Sequence, residues 1–502
     1  MSWRTVVTDI IRFRDSELVI ALVGAVGTDL RKVITPLQER LRLYKYRSEE
    51  IRISKEVIKP LFTEEEPDSA FERISSYMNK GNITRSSTQN KAVLANGASA
   101  MIYKRRKNNF NNAAIGKMAF IINQLKTPEE IKRLREIYQT GFYCISIHTS
   151  KERRLASLIR KPMTPSQAEE LIQRDEDESE DYGQKTRDAF HLSDFFISDD
   201  GHEDKITNSI ARIVDIIFGA PFKTPTFDEF SMFMAFSSAL RSGDLSRQVG
   251  AVITSKNCII STGANDVPKA NGGVYWPEID KNGQVIDSMD GRDFMIGHDS
   301  NSKEKQEIIV DIIGKLGNGF NETQITEIRK ILNKSKIRDI TEYGRVVHAE
   351  MDAILACARN GTSIIGATLY CTTFPCHNCA KHIVASGIKR VVYVEPYPKS
   401  KAINFHKDSI SENSADGEEK VVFEPFIGVG PRRFFDLFSM HISDGQPVQR
   451  KNPDGTAVTW PGDEAPTLRM QMQPFSYIEK ETIAANEFKL TIAKLSQGGQ
   501  DE

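Results

Sequence analysis

Six cysteines in 502 residues is a small number. It excludes a disulfide-stapled scaffold and suits a reducing compartment. No stretch approaches the roughly 18 consecutive apolar residues of a membrane span. The first residues carry no apolar segment of the secretory type. Membrane partners are therefore not expected, and a cytoplasmic location is. Charge of one sign is missing as well: 67 Lys and Arg stand against 68 Asp and Glu, a formal net charge of −1. No global basic field exists to hold long nucleic acid. The glycine-rich turn near the N-terminus lacks the Lys-Ser/Thr pair that closes a full phosphate-binding loop. Residues 269–345 contain no cysteine, so a cysteine-based metal site is not expected there.

What the chain does have is 39% hydrophobic residues, enough for real cores. Its length calls for two or three domains. Residues 17–24 read as a buried parallel strand. They run into Gly24-Ala25-Val26-Gly27-Thr28-Asp29-Leu30-Arg31 and then an amphipathic helix ending near Tyr44. Strand, glycine-rich turn and helix is the layout of a phosphate-binding loop. Aligned on Gly24 and Gly27, the expected lysine falls on Leu30 and the hydroxyl on Arg31. Gly24, Gly27, Thr28 and Arg31 are the candidate nucleotide contacts; the alternative is a tight turn with no ligand. Strands are predicted at 119–123, 142–148 and 195–198, with a helix start at Thr127-Pro128-Glu129-Glu130. Together they predict a parallel-sheet α/β domain over residues 1–221. The layout resembles the P-loop kinases of nucleoside monophosphates, loosely, over about residues 15–220.

The sharpest pattern lies in the second half. His348-Ala349-Glu350 is answered by Pro375-Cys376-His377-Asn378-Cys379. H-x-E followed by P-C-x-x-C is the signature of the zinc-dependent nucleobase deaminases. Catalytic Zn²⁺ takes three protein ligands and keeps one position open. His348, Cys376 and Cys379 supply one nitrogen and two thiolates, for one zinc ion per chain. Glu350 is two residues past His348, about 200° around a helix, so it is off the metal and free to shuttle protons. Pro375 suits a helix start. The cysteines then ride the first turn, where the helix dipole favours thiolates. A C-x-x-C pair alone also fits a structural zinc knuckle or a redox pair. A structural site needs a fourth ligand, for which His382 is a candidate, but that reading leaves Glu350 and Pro375 without a role.

Around this pattern, strands are predicted at 246–253 and 258–262, the second ending at Gly263-Ala264-Asn265. Residues 269–345 form an insertion with helices near 303–316 and 322–334, a candidate lid or oligomer contact. A helix over 348–359, a strand over 367–373, a helix over 376–386 and a strand over 390–395 complete a mixed sheet with helices on both faces. This domain is expected over 222–445, followed by an extension over 446–502. Lys399, Ser400 and Lys401 follow the last strand, where ligands gather in open α/β sheets.

With Arg247-Gln248-Val249-Gly250-Ala251-Val252, Gly263-Ala264-Asn265, His348-Ala349-Glu350-Met351-Asp352-Ala353-Ile354 and Thr373-Phe374-Pro375-Cys376 through Cys379 on the page, residues 226–395 resemble the deoxycytidylate deaminases. A kinase-like domain in front of such a domain resembles the bacterial anti-phage dCTP deaminases. That resemblance implies zinc-dependent hydrolysis of free dCTP to dUTP, and of dCMP to dUMP. It also implies depletion of the dCTP pool during infection and, in some members, inhibition by a small RNA. It places Asn265 on the sugar. Arg247 is a further candidate substrate contact, and Lys399, Ser400 and Lys401 at the strand end either meet a triphosphate or form an exposed basic turn. A homo-oligomer is expected. The alternatives are a housekeeping dCMP deaminase, an editor of cytosine or adenine in nucleic acid, and a nucleotide sensor with an idle zinc site.

Overall fold

A computed structural model of the chain describes residues 15–176, 178, 182–317, 319–395, 400–441, 445–462 and 466–498. The chain divides into two compact units, one of Met1–Glu229 with Ile427–Glu502 and one of Phe230–Phe426.

The first unit is built on β1 (Leu18–Gly24), β2 (Arg47–Arg52), β3 (Met118–Leu125), β4 (Phe142–His148) and β5 (Phe195–Ser198). They pair in parallel in the order β5-β4-β1-β3-β2. A short antiparallel strand, Gly428–Val429, closes the β5 edge. Every residue of β1 is buried, because both faces of the sheet are covered. Val19, Ala21 and Val23 enter one core and Leu18, Ile20 and Leu22 the other. Helix α1 (Arg31–Leu43) buries Val33, Ile34, Leu37 and Leu41, the spacing of one helical face. The helix from Pro128 to Tyr138 opens with a capping box between Thr127 and Glu130, the start that its Pro and paired Glu predict.

The return of the chain to this unit differs from the expected boundaries at 445 and 446. Residues 427–445 belong with the N-terminal sheet, and the segment after 446 is part of its core. The C-terminal helix Pro474–Gly498 adds Tyr477, Ala484, Ala485 and Phe488 to the same cluster as Val19 and Ile131. The physical reason is an ionic knot. Arg106 is fully buried between Glu17 and Glu481. Its Nε and Nη2 donate to Glu481 at 3.1 and 3.0 Å, while Nη1 donates to Glu17. Tyr477 and Tyr138 hydroxyls donate to Glu17 and Glu481, at 2.7 and 2.9 Å. A guanidinium buried between two carboxylates is tolerated because each of its three nitrogens donates to a carboxylate.

The second unit carries β6 (Gly250–Ser255), β7 (Cys258–Ala264), β8 (Thr368–Thr373), β9 (Arg390–Glu395), β10 (Ile410–Ser411) and β11 (Val421–Pro425), in the order β10-β11-β9-β8-β6-β7. β8, β9, β10 and β11 run parallel; β6 is antiparallel to β7 and β8. This is the mixed sheet expected from the sequence. The insertion contains two amphipathic helices, α2 (Ser300–Lys315) and α3 (Glu322–Lys334). Helix α4 (Ala349–Arg359) and helix α5 (His377–Ala385) pack on the sheet.

Removing the guanidinium of Arg106 leaves two carboxylates buried against each other. Arg106→Ala should therefore destabilise the first unit by about 3–5 kcal/mol. Chemical denaturation of the full chain, followed by tyrosine fluorescence and hydrogen exchange of β1 amides, measures it.

Candidate active site

Two helix starts meet at one point. His348 is the N-cap residue of α4 and Cys376 the N-cap of α5. Cys379 is three residues further on, and its backbone N–H reaches the Cys376 sulfur at 3.5 Å. His348 Nδ1 lies 3.3 Å from Cys376 Sγ and 3.3 Å from Cys379 Sγ. The three donor atoms all lie within 4.8 Å of one another. A tetrahedral zinc with ordinary Zn–N and Zn–S bonds puts nitrogen and sulfur roughly 3.6 Å apart, so the donors fit the ion. Zinc is the cofactor of this centre. His382, the candidate fourth ligand, is not part of the cluster among the described residues. One coordination position is thus left for a reactant, as catalysis requires.

Without the cation the cluster polarises itself. The Cys376 thiol is pulled down to about 3 by its bond from Cys379 and by the His348 ring. Its partner Cys379 is pushed up by sharing that bond and by burial. His348 rises to about 9, chiefly through its bond to Cys376. A divalent cation replaces their protons with metal bonds, which is why metal binding here is coupled to proton release.

Glu350 sits on the first turn of α4, 4% exposed. Burial pushes its carboxyl up, and the neighbouring His348 charge pulls it back. It lines the same cavity of about 450 Å³ as His348 and Cys376 without belonging to the ligand cluster. The placement keeps this carboxylate beside the ligand cluster and outside it.

Close packing holds α4 against β7. A Cβ on Gly263 would overlap the Ala349 carbonyl oxygen and lie 2.5 Å from the Ala353 nitrogen. Ser261 Oγ donates to the Ala353 carbonyl at 2.9 Å, and Asp352 accepts the Ala264 N–H at 3.3 Å. The backbone approach fixes the depth of Glu350 relative to the sheet.

Asn265 lines the cavity and is buried. Its Oδ1 accepts from Val249 N at 2.6 Å and its Nδ2 donates to Arg247 O at 2.8 Å. One amide N–H remains for a ligand. Arg247 lines the cavity too, with Nη1 3.6 Å from Glu395. The two described strand-end residues lie elsewhere. Lys399 is outside the described residues. Ser400 gives its hydroxyl to the Pro375 carbonyl at 2.7 Å, bracing the turn before Cys376. Lys401 is exposed, over the Phe405 ring. Neither is among the described residues that line the cavity. The insertion supplies lining instead, through Asn301, Lys305, Arg338 and Thr341. No motif marked these residues, because only the folded hairpin brings them together.

The N-terminal turn borders a separate cavity of about 360 Å³, within the first unit. Gly27 has φ +91° and no room for a Cβ beside Arg154. Gly24 ends β1, Thr28 Oγ1 meets Thr149 Oγ1 at 3.2 Å, and Arg31 opens α1 and lines the cavity. The sequence reading missed two partners. Lys126, from the end of β3, places Nζ 3.1 Å from the Gly24 carbonyl and 2.7 Å from Asp175. Asp175 in turn accepts the Val26 N–H at 2.7 Å. A lysine distant in sequence stands at the turn that lacks one, and a carboxylate takes an N–H that a phosphate would use.

A family model described as the cytidine and deoxycytidylate deaminase zinc-binding region matches residues 225–395. The deoxycytidylate deaminase of Enterobacteria phage T4 is 36% identical over 170 residues, which is 34% of this chain and 77% of that protein. The deoxycytidylate deaminase of Homo sapiens is 28% identical over 167 residues, 33% of this chain and 63% of that protein's length. The solved apo structure of a dCMP deaminase from the cyanophage S-TIM5 aligns with 40% of this chain and 99% of its own, at 19% identity and a TM-score of 0.22.

Gly263→Ala should push α4 away from β7 and misplace both His348 and Glu350. The expected result is a loss of about 1–3 kcal/mol in stability together with a substoichiometric zinc content, measured by thermal unfolding and metal analysis of the purified variant.

Proposed function

On the premise that the chain belongs to the cytidine and deoxycytidylate deaminase family, we propose that it removes the 4-amino group of free deoxycytidine nucleotides, dCTP first and dCMP second. The observation that carries this reading is a buried carboxylate, Glu350, beside a His-Cys-Cys tripod in one cavity. A zinc ion held by His348, Cys376 and Cys379 would supply an acidified water, its pKa lowered toward 7. Glu350 takes a proton from the attacking water and passes it to N3 of the cytosine ring. It then takes the proton of the new C4 hydroxyl and delivers it to the departing amine. The C4–O bond forms, the C4–N bond breaks, and ammonia and the uracil nucleotide leave. Asn265 offers its remaining N–H to the sugar, and the backbone of Arg247–Val249 that it holds keeps the floor of the cavity in place.

Free nucleotides are favoured over nucleic acid because the mouth is not a basic groove with stacking platforms. Among its described lining residues, cations and carboxylates are mixed and the one Phe, Tyr or Trp ring is Phe374. The biological setting follows the resemblance of the whole layout to anti-phage dCTP deaminases: drainage of dCTP during infection, with a small RNA as the candidate inhibitor. Housekeeping supply of dUMP is the alternative. It corresponds to turnover of dCMP alone in an assay against dCMP, dCTP, CTP and single-stranded DNA.

The N-terminal cavity is read as a regulatory nucleotide site without phosphoryl transfer. Gly27, Thr28, Arg31 and Lys126 line the cavity, and Gly24 ends the strand that leads into it; this supports a phosphate contact at the turn. The Asp175 carboxylate on Val26 N–H occupies part of the cradle, which argues for binding that must displace it rather than for efficient transfer.

Glu350→Ala should keep about one zinc per chain and lose at least 10²–10⁴-fold in turnover, the range of a general acid–base group. Metal analysis and ammonia release from dCTP and dCMP test this together. Loss of the zinc would make Glu350 a ligand, and near wild-type turnover would remove its role.

A further inference from the structure

The insertion between β7 and α4 has no role in the tripod, yet it lines the catalytic cavity. Its hairpin is braced in place. Asn301 Nδ2 donates to the Ile340 carbonyl at 2.9 Å, and Gln306 Nε2 to Asn333 at 2.9 Å. Thr341 Oγ1 accepts from Asn378, the residue before Cys379, at 3.3 Å. The insertion is thus hydrogen-bonded to the helix that carries both cysteines.

Three cations line the cavity among the described residues, and two of them, Lys305 and Arg338, come from the insertion. Lys305 Nζ donates to the Arg338 carbonyl at 3.3 Å. That leaves two of its three N–H groups for other acceptors. Arg338 is more than half exposed, with Nε 3.7 Å from Asp339. Two of the carboxylates that share the mouth have local work. Asp244 accepts the Ser246 and Arg247 N–H groups, and Asp299 caps α2 at Ser302. They compete only partly for the two cations.

Glu350 and the tripod fix the base at one end, and Asn265 fixes the sugar. The core supplies a single further cation, Arg247, for the phosphate next to that sugar. We propose that Lys305 and Arg338 bind the distal phosphates, so that the insertion sets the preference for a triphosphate over a monophosphate. The inference rests on the nucleotide-deaminase reading above. Charge-assisted contacts to phosphate oxygens exist only when those phosphates are present, so the two side chains act on dCTP and have little to grip on dCMP.

The test uses the full-length zinc protein. KM and kcat for dCTP and dCMP are measured on wild type, on Lys305→Ala/Arg338→Ala, and on Lys303→Ala, an exposed lysine of the same helix outside the cavity. The double variant should raise the ratio of KM for dCTP to KM for dCMP by about 10- to 100-fold, with kcat nearly unchanged and zinc retained. Lys303→Ala should leave the ratio where it is. If the double variant fails to fold, Lys305→Met, which keeps the apolar stem, should still raise the ratio several-fold. An active enzyme whose ratio does not move, or whose two KM values rise together, overturns the proposal and leaves the substrate reading intact. A wild-type zinc protein that releases ammonia from neither nucleotide sinks the substrate reading itself, and this proposal with it.

Discussion

Two sulfurs and an imidazole nitrogen held at one point repel, share protons and expose buried charge unless a cation joins them. That local conflict dictates much of the second unit. Both ligand-bearing segments must present helix starts to the same spot, since N–H groups and the dipole there tolerate a thiolate. The sheet must bring those starts together, which β8 does by leading straight into Pro375 and Cys376. Helix α4 must lie close enough to β7 that only a glycine at 263 fits. The same packing buries Glu350 beside the tripod without making it a ligand.

The cavity above the tripod is a composite. Its base comes from elements of the mixed sheet, where Asn265 is fixed by backbone hydrogen bonds. Its mouth comes from a helical hairpin whose apolar faces are only partly covered and whose polar residues reach inward. A rigid floor and a separately built rim allow the chemistry to stay constant while the recognised tail of the substrate varies. This division agrees with the general placement of binding residues on segments carried by a scaffold.

The tripod and Glu350 were legible in the sequence because their chemistry is local: one residue separates His348 from Glu350, and two separate Cys376 from Cys379. The strands β1, β3, β4, β8 and β9 were legible because full burial leaves continuous apolar runs. Other features had no local signal. β2, with Arg47, Glu49 and Glu50, reads as polar, and only its place at the sheet edge explains it. Lys126 lies about a hundred positions from the turn it serves. Ser400, expected near phosphate, is used by the Pro375 carbonyl, a choice set by a turn that sequence does not describe. The insertion's Lys305 and Arg338 lie on separate segments and meet only through the hairpin. The C-terminal helix looked like an extension because its partner residues are at the opposite end of the chain.

That last arrangement has a temporal side. Arg106 and Glu481 are 375 residues apart, and at synthesis rates of 5–20 residues per second roughly 20–75 s pass between the emergence of one and the other. For that interval a guanidinium and the Glu17 carboxylate await a third partner, and the β1 sheet lacks the helix that covers part of its core. The second unit, by contrast, is contiguous from Phe230 to Phe426 and contains all its zinc ligands before the C-terminal helix exists. The nascent chain therefore carries a deaminase unit able to complete itself first, while the domain that precedes it in sequence finishes last.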